Sequence, residues 1–332
     1  MVASLRTLLR GLIDYAGLFP PAKLPLDQAI REFAQYWKEL DHWMLGHFVC
    51  PASQLRDLEP YLDELFPKRA LPFGLSVLGS GGNEMSELLA NLRCDQFSID
   101  LFEGGSKKQV VVSNFEVRLP TDYVPAVKAA ATDLTHTVKV TKDWRDEKRA
   151  PLMIYWEPSF SEDWRRSVSA VIDILSADRI GKRFVKSQKT RPRGIKLRCG
   201  GMEAAAVPSS DKVAFVIAAC RDAGVALKFT AGLHHPVRHF DSGLQTRVHG
   251  FVNVFGAGVL AFARQLNEQQ IRQVIEEEDP SSFVFSDEGV QWRDLQASTE
   301  EIAEARRQAV ISFGSCSFDE PRDDLRKLGW LD

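Results

Sequence analysis

Short apolar runs alternate with longer amphipathic runs along most of the chain. In the longer runs apolar residues recur every three or four positions, which is typical of helices that bury one face. The short runs have the length of buried strands. They are WMLGHFVC (43–50), PFGLSVLG (72–79), QFSIDLFE (96–103), VVVSNFEVRL (110–119), TVKVTK (137–142), LMIYWE (152–157), GIKLRCG (194–200), ALKFTAG (226–232), GFVNVFGA (250–257) and SFVFSDEGVQW (282–292).

Strands that alternate with helices predict βαβ units and a parallel sheet. We therefore expect an α/β fold, a (β/α)₈ TIM-type barrel with one or two extra strands. An open doubly wound sheet is the alternative, although no GxGxxG follows a first strand. Seven runs are the clearest barrel strands, and the eighth is either 96–103 or 282–292. The seven are 43–50, 72–79, 110–119, 152–157, 194–200, 226–232 and 250–257.

The length fits one barrel domain over 1–332, with helical or loop segments at 1–40 and 295–332 packed on it. Two end stretches rich in small and turn residues, IDYAGLFPPAKL (13–24) and SFGSCSFDEP (312–321), are expected to plug or close the barrel. A nucleophilic role for Cys316 is the weaker interpretation, because the sequence identifies no partner histidine.

Composition narrows the class of partner. A net charge of −3 favours neither nucleic acid nor an anionic membrane surface. The five cysteines form no CxxC, which indicates reduced thiols and a cytoplasmic protein. No apolar run approaches the roughly 18 residues of a membrane span, and we interpret the N-terminal stretch as a mature helix. The basic stretch 179–194 predicts an exposed loop; an oligomer contact or an anion-attracting rim stays open, and with it a homo-oligomer.

Polar side chains occupy one face of five predicted strands, opposite the apolar residues. Residues two apart on a strand share a face, and in a barrel the second face looks inward. Lys, Arg and Glu are rarely buried unless they are paired, so this set predicts a site. Its members are Asn114, Glu116, Arg118, Tyr155, Glu157, Lys196, Arg198, Lys228, Thr230 and Asn253.

The inward charges predict an anionic ligand. Four cations against Glu116 and Glu157 leave a surplus of two positive charges, which an anion would compensate. Arg118 and Arg198, near the ends of their strands, suit bidentate capture of a carboxylate or phosphate. A balanced lattice of ion pairs between strands is the structural alternative.

Two lysines lie on successive βα units. Lys196 is expected to make Lys228 neutral and nucleophilic, as Schiff-base chemistry requires. Glu157 would then transfer protons. In the other interpretation both lysines stay charged and polarise a substrate oxygen.

The strand at 226–232 ends before two histidines. His234 and His235 follow Gly232 in a loop of the kind that carries catalytic groups in barrels, so they are candidate acids or bases. No cofactor is expected. The alternative is a divalent metal such as zinc or magnesium, held by His234, His235, His239 and Glu157.

Several longer motifs support a resemblance. IDYAGLFPPA, GIKLRCGG, LKFTAGLHHP, GFVNVF and GSCSFDEP together resemble a group of bacterial hypothetical proteins, a resemblance that implies no activity. Locally, KFTAG at Lys228 and KLRCGG at Lys196 are similar to the K-T-S-T-G and K-x-x-G-G strands of class I aldolases of the deoxyribose-phosphate aldolase type. That similarity implies a lysine nucleophile; the two motifs occur in reversed order, and the aldolase aspartate has no counterpart.

These observations predict an enzyme that acts on a small anionic carbonyl metabolite, either a lyase of aldolase type or an isomerase. In this hypothesis Lys228, Lys196, Glu157, His234 and His235 carry the chemistry. Substrate binding falls to Arg198, Arg118, Glu116, Asn253, Thr230 and Tyr155. The alternatives are a metal-dependent hydrolase or isomerase, and a barrel that binds an anion without turnover.

Overall fold

The computed structural model describes residues 1–66, 73–105, 110–120, 152–160, 162–180 and 193–332. The predicted strand at 137–142 and most of the basic stretch 179–194 lie outside these residues. In chain order the described strands are β1 (Ile13–Tyr15), β2 (Leu45–Pro51), β3 (Phe73–Leu78), β4 (Val110–Arg118), β5 (Met153–Glu157), β6 (Arg193–Arg198), β7 (Ala226–Thr230), β8 (His239–Asp241), β9 (Thr246–Val248), β10 (Phe283–Phe285), β11 (Gly289–Trp292), β12 (Leu295–Ser298) and β13 (Val310–Ser315).

Eight of these strands form a closed parallel barrel in the order β1-β13-β7-β6-β5-β4-β3-β2. Helices surround it, so the predicted (β/α)₈ TIM-type barrel is confirmed and the open sheet is excluded. The extra strands form a β8–β9 hairpin and a three-stranded β10–β12 sheet. The described helices are α1 (Ala3–Leu9), α2 (Leu26–Tyr36), α3 (Leu55–Leu65), α4 (Met85–Gly105), α5 (Trp164–Ile180), α6 (Ser210–Ala223), α7 (Phe251–Arg264), α8 (Glu268–Ile275), α9 (Thr299–Gln308) and α10 (Asp319–Lys327).

Two predicted strands are helices. The run at 250–257 lies in α7, where residues 251–261 are all buried, so the apolar pattern has no helical period to reveal. The run at 96–103 lies in α4. There the buried residues Asp95, Ile99 and Phe102 are spaced four and three apart, as one helix face requires.

The last two barrel strands come from the ends of the chain. The predicted eighth strand at 282–292 instead supplies β10 and β11 of the separate sheet. β1 and β13 complete the barrel and pair with each other in parallel, Asp14 opposite Gly314. Each of the two end stretches therefore contributes residues to a strand of the closed barrel.

The chain divides into two compact units. The first unit contains Met1–Pro25, Gln35–Gly46 and Leu197–Asp332, and the second contains Leu26–Ala34 and His47–Lys196. In the core of the first, the rings of Phe251 and Phe313 stack with centroids 5.4 Å apart. In the core of the second, the ring centroid of Phe33 lies 5.3 Å from that of Phe48 and 5.6 Å from that of Phe73.

Within the described ranges, no helix combines the length and the apolar character needed to cross a bilayer.

Candidate functional site

Four neighbouring strands of the second unit bring one lysine and two glutamates together. Lys196 Nζ on β6 lies 2.8 Å from Glu116 Oε2 on β4 and 3.0 Å from Glu157 Oε2 on β5. Ser76 on β3 donates a hydrogen bond of 2.5 Å to Glu116 Oε1. All four side chains are buried, so two carboxylates bracket the ammonium away from water.

Strand register explains why these side chains meet. Trp156 pairs with Ile195 across β5 and β6, which puts the next residues, Glu157 and Lys196, side by side. Glu157 pairs with Arg118 across β4 and β5. Glu116, two residues before Arg118, shares its face. The inward direction expected of Lys196, Glu116 and Glu157 thus agrees with the structure, whereas their chemical roles stay predictions.

The two carboxylates keep Lys196 protonated. Burial by itself would lower the pKa of the Lys196 ammonium, but the attraction of Glu116 and Glu157 and the hydrogen bonds to both outweigh burial and raise that pKa above its ordinary value. Lys196 therefore suits a fixed positive charge rather than a neutral nucleophile.

A second buried lysine lies in the first unit. Lys228 on β7 forms an ion pair with Asp14 on β1. Ser312 on β13 donates a hydrogen bond of 2.7 Å to the same oxygen, Asp14 Oδ2. Neither Lys228 nor Asp14 has any exposed surface. The adjacent Phe229 packs on Phe255 of α7, with ring centroids 5.1 Å apart, so the alternation along β7 turns Lys228 away from that helix.

Asp14 is the functional candidate that sequence reasoning missed. It stands between two apolar residues in a strand of only three, Ile13–Tyr15, too short for a period to be recognised. A carboxylate flanked by buried apolar residues was the available signal. Gly46 makes room for it, since a Cβ at that position would overlap Asp14 Oδ1.

The predicted surplus of two interior cations is wrong. Arg118 and Arg198 are both exposed at the carboxyl ends of their strands. Arg198 Nε donates to the Gly200 carbonyl at 3.1 Å. In the second unit two buried carboxylates face one ammonium, and in the first Asp14 balances Lys228.

The histidines after β7 bond to the last helix of the first unit. His234 Nδ1 donates to Glu320 at 2.9 Å, and His235 Nδ1 donates to Asp324. Both carboxylates lie on α10, one turn apart. These bonds fix the orientation of each imidazole through its Nδ1. Each histidine is thus paired with a carboxylate, and a catalytic role for the two stays a prediction.

The alternative metal set is not assembled. No three His, Cys, Asp or Glu side chains within the described ranges are grouped so as to hold a metal ion. Of the four expected ligands, His234 and His235 bond to carboxylates of α10, and Glu157 bonds to Lys196. His239 Nδ1 donates to the Val237 carbonyl at 3.1 Å.

Three other expected binding residues have different surroundings. Tyr155 is buried on β5, and Thr230 lies opposite Gly314 across β7 and β13. The predicted position of Asn253 on an inward strand face is wrong. Asn253 lies in α7 and donates to the carbonyls of Val274 at 3.0 Å and Glu277 at 2.8 Å, so it joins helices.

Cys316, directly after β13, is not set up as a nucleophile. Burial is the main cause that raises the pKa of its thiol, so the reactive thiolate is disfavoured at neutral pH.

The chain matches no protein-family model, no curated protein and no solved structure. The side-chain geometry alone therefore carries the functional conclusion.

Proposed function

We propose that this protein is an enzyme that moves a proton next to the carbonyl group of a small anionic metabolite, as a lyase or an isomerase. The observation that carries the proposal is Lys196 held between Glu116 and Glu157. Such chemistry needs a base for the proton and a fixed positive charge for the oxygen that becomes negative.

The cluster of Ser76, Glu116, Glu157 and Lys196 contains both kinds of group. Because its pKa is raised, Lys196 is a positively charged ammonium at neutral pH, and it would stabilise the negative charge that develops on an enolate oxygen. Glu157, at the carboxyl end of β5, is the base. Catalytic groups of TIM barrels sit at that end of the strands. Glu116, which accepts a hydrogen bond from the Ser76 hydroxyl, holds the Lys196 ammonium on the side away from Glu157.

Deuterium exchange tests the proposal without knowledge of the full reaction. Acetone, pyruvate and dihydroxyacetone phosphate are incubated in D₂O with the protein, and deuterium at the carbon next to the carbonyl is followed by NMR. We expect exchange above the buffer rate for at least one probe, and a loss of about 100-fold or more in Glu157→Gln.

Glu162→Gln is the matched control, because Glu162 is exposed and is expected to leave the rate unchanged. Exchange by none of the probes, or equal exchange in Glu157→Gln and the wild type, contradicts the proposal. Binding of a probe with no exchange would favour the barrel that binds without turnover.

Lys228 supports a second candidate, imine chemistry of the aldolase type. Transfer of its proton to Asp14 turns a buried ion pair into two neutral groups, which leaves no isolated charge in the interior. In this candidate the neutral amine attacks a substrate carbonyl, and Asp14 returns the proton to the oxygen that leaves as water. Borohydride with pyruvate should add mass to the peptide that contains Lys228; an unmodified peptide counts against this chemistry.

A further inference from the structure

Arg118 lies next to the cluster of Lys196, Glu116 and Glu157 but takes no part in its ion pairs. It lies opposite Glu157 in the β4–β5 register, yet Glu157 pairs with Lys196. Arg118 is exposed, and among the described residues its side chain forms no ion pair. The guanidinium is therefore available to a ligand at the carboxyl end of β4.

The neighbouring loop leaves Arg118 accessible. Gly81, in the loop between β3 and α4, packs against the backbone of Arg118, so that a Cβ built there would lie 3.6 Å from the Arg118 carbonyl oxygen and 3.9 Å from Arg118 Cβ. Its φ of +68° favours glycine. The buried Asp95 holds this loop, since Ser80 donates to it from its N–H at 2.9 Å and its hydroxyl at 2.8 Å.

The charges around the cluster favour a monoanion. Glu116 and Glu157 against Lys196 leave one net negative charge, and Arg118 adds a single positive charge. A carboxylate carries one negative charge and matches the guanidinium fork in a bidentate pair. A phosphate ester carries about −1.5 to −2, which is more charge than the single guanidinium of Arg118 compensates.

Strand register brings Arg118 and Glu157 close together at the carboxyl ends of β4 and β5. Register partners on neighbouring strands are about 4.8 Å apart, so both side chains are within reach of one small molecule. In a 2-oxo acid the carboxylate is bonded directly to the carbonyl carbon, and the acidic C–H lies one bond further.

Resting on the proposed function, we propose that the substrate class is a short 2-oxo acid and that Arg118 selects it. Arg118 binds the carboxylate, the Lys196 ammonium stabilises the carbonyl oxygen, and Glu157 takes the proton from C3. The C3–H bond breaks, its electron pair forms the C2–C3 double bond, and the carbonyl oxygen becomes an enolate. The reverse step returns a proton, or a deuteron in D₂O, to C3.

Deuterium exchange with the same three probes separates the substrate class from the proposed function. We expect wild-type protein to exchange pyruvate faster than acetone or dihydroxyacetone phosphate. Arg118→Met should slow pyruvate exchange by about 10- to 100-fold, as expected for a hydrogen-bonded charged pair, and should slow acetone exchange by a smaller factor, because acetone has no carboxylate. Arg118→Lys should recover only part of the rate, since lysine lacks the fork.

Arg93→Met is the matched control, because Arg93 is exposed on α4 of the same unit. Arg118→Met and Arg93→Met should both unfold at the wild-type temperature. Slower pyruvate exchange in Arg118→Met would then not be caused by loss of the fold. The substrate class is overturned if pyruvate and acetone exchange at equal rates and Arg118→Met changes neither rate. If Glu157→Gln still abolishes this exchange, the proposed function is retained. Preferred exchange of dihydroxyacetone phosphate overturns the class in favour of a phosphate ester. Exchange of no probe overturns both.

Discussion

Lys228 and Asp14 form an ion pair in which neither residue has exposed surface. The pair joins β7 to β1, and Ser312 on β13, which pairs with both strands, bonds to the same carboxylate. The sequence predicts that Lys228 lies among cations, but in the structure the carboxylate of Asp14 balances its charge. Removal of Lys228 is therefore expected to change the stability of the protein.

Lys228→Met is expected to lower the free energy of unfolding by about 3–5 kcal/mol, because it removes the buried cation that balances the charge of the Asp14 carboxylate. Asp14→Asn in the same background should recover much of the loss, since it removes the uncompensated charge and keeps an oxygen for Ser312. Urea unfolding of the four members of this cycle measures the coupling. Lys38→Met, at an exposed lysine, is the control. Additive effects would show that Lys228 and Asp14 do not stabilise each other.

His249 makes stability depend on pH on the acid side. Burial is the main cause that lowers its pKa to about 4, a hydrogen bond to the Pro208 carbonyl opposes this, and Arg238 adds to it. Between about pH 6.5, the ordinary pKa of histidine in an unfolded chain, and about pH 4, the unfolded chain binds a proton at His249 and the folded protein does not. The contribution of this group to stability is therefore complete above pH 6.5, decreases as the pH falls to about 4, and changes no further below.

The size of this effect is about 3 kcal/mol, taken from the two pKa values. His249→Gln keeps an N–H for the Pro208 carbonyl and cannot titrate. Unfolding free energies measured from pH 7 to pH 4 should therefore fall less steeply in His249→Gln than in the wild type. His42→Gln, at an exposed histidine, should leave the wild-type slope almost unchanged. Parallel curves for His249→Gln and the wild type would contradict the prediction.

Gly46→Ala tests how tightly Asp14 is held. The added Cβ would overlap Asp14 Oδ1, and that carboxylate cannot swing aside because Lys228 and Ser312 hold it. We expect a loss of about 1–3 kcal/mol in unfolding free energy, as for other overpacked sites.

Gly104→Ala is the control for Gly46→Ala, because it is the same substitution at a glycine where the added Cβ meets no neighbour. Gly104 lies in α4 with nothing within 4 Å of an added Cβ. Alanine there should be neutral or stabilising by up to about 1 kcal/mol. The same chemical denaturation measures both variants, and an unaffected Gly46→Ala would mean that Asp14 adjusts freely.

The periodicity of the sequence by itself determined the fold class and the direction of most inward side chains. Alternation along strands is local, so Lys196, Glu116 and Glu157 could be assigned to one face without knowledge of their partners. The same local rule failed at 250–257 because a helix buried on all sides has no polar face to mark its period.

Only the tertiary structure decided which charges meet. Asp14 and Lys228 are separated by 214 positions along the chain, and the order of strands around the closed barrel brings β1 and β7 to either side of β13. The exposure of Arg118 and Arg198 could not be predicted from the sequence either. Alternation along a strand indicates which face a side chain is on, but it does not indicate how far along the strand the side chains become exposed to solvent. A register pattern specifies direction, whereas pairing and burial depend on contacts between segments far apart in sequence.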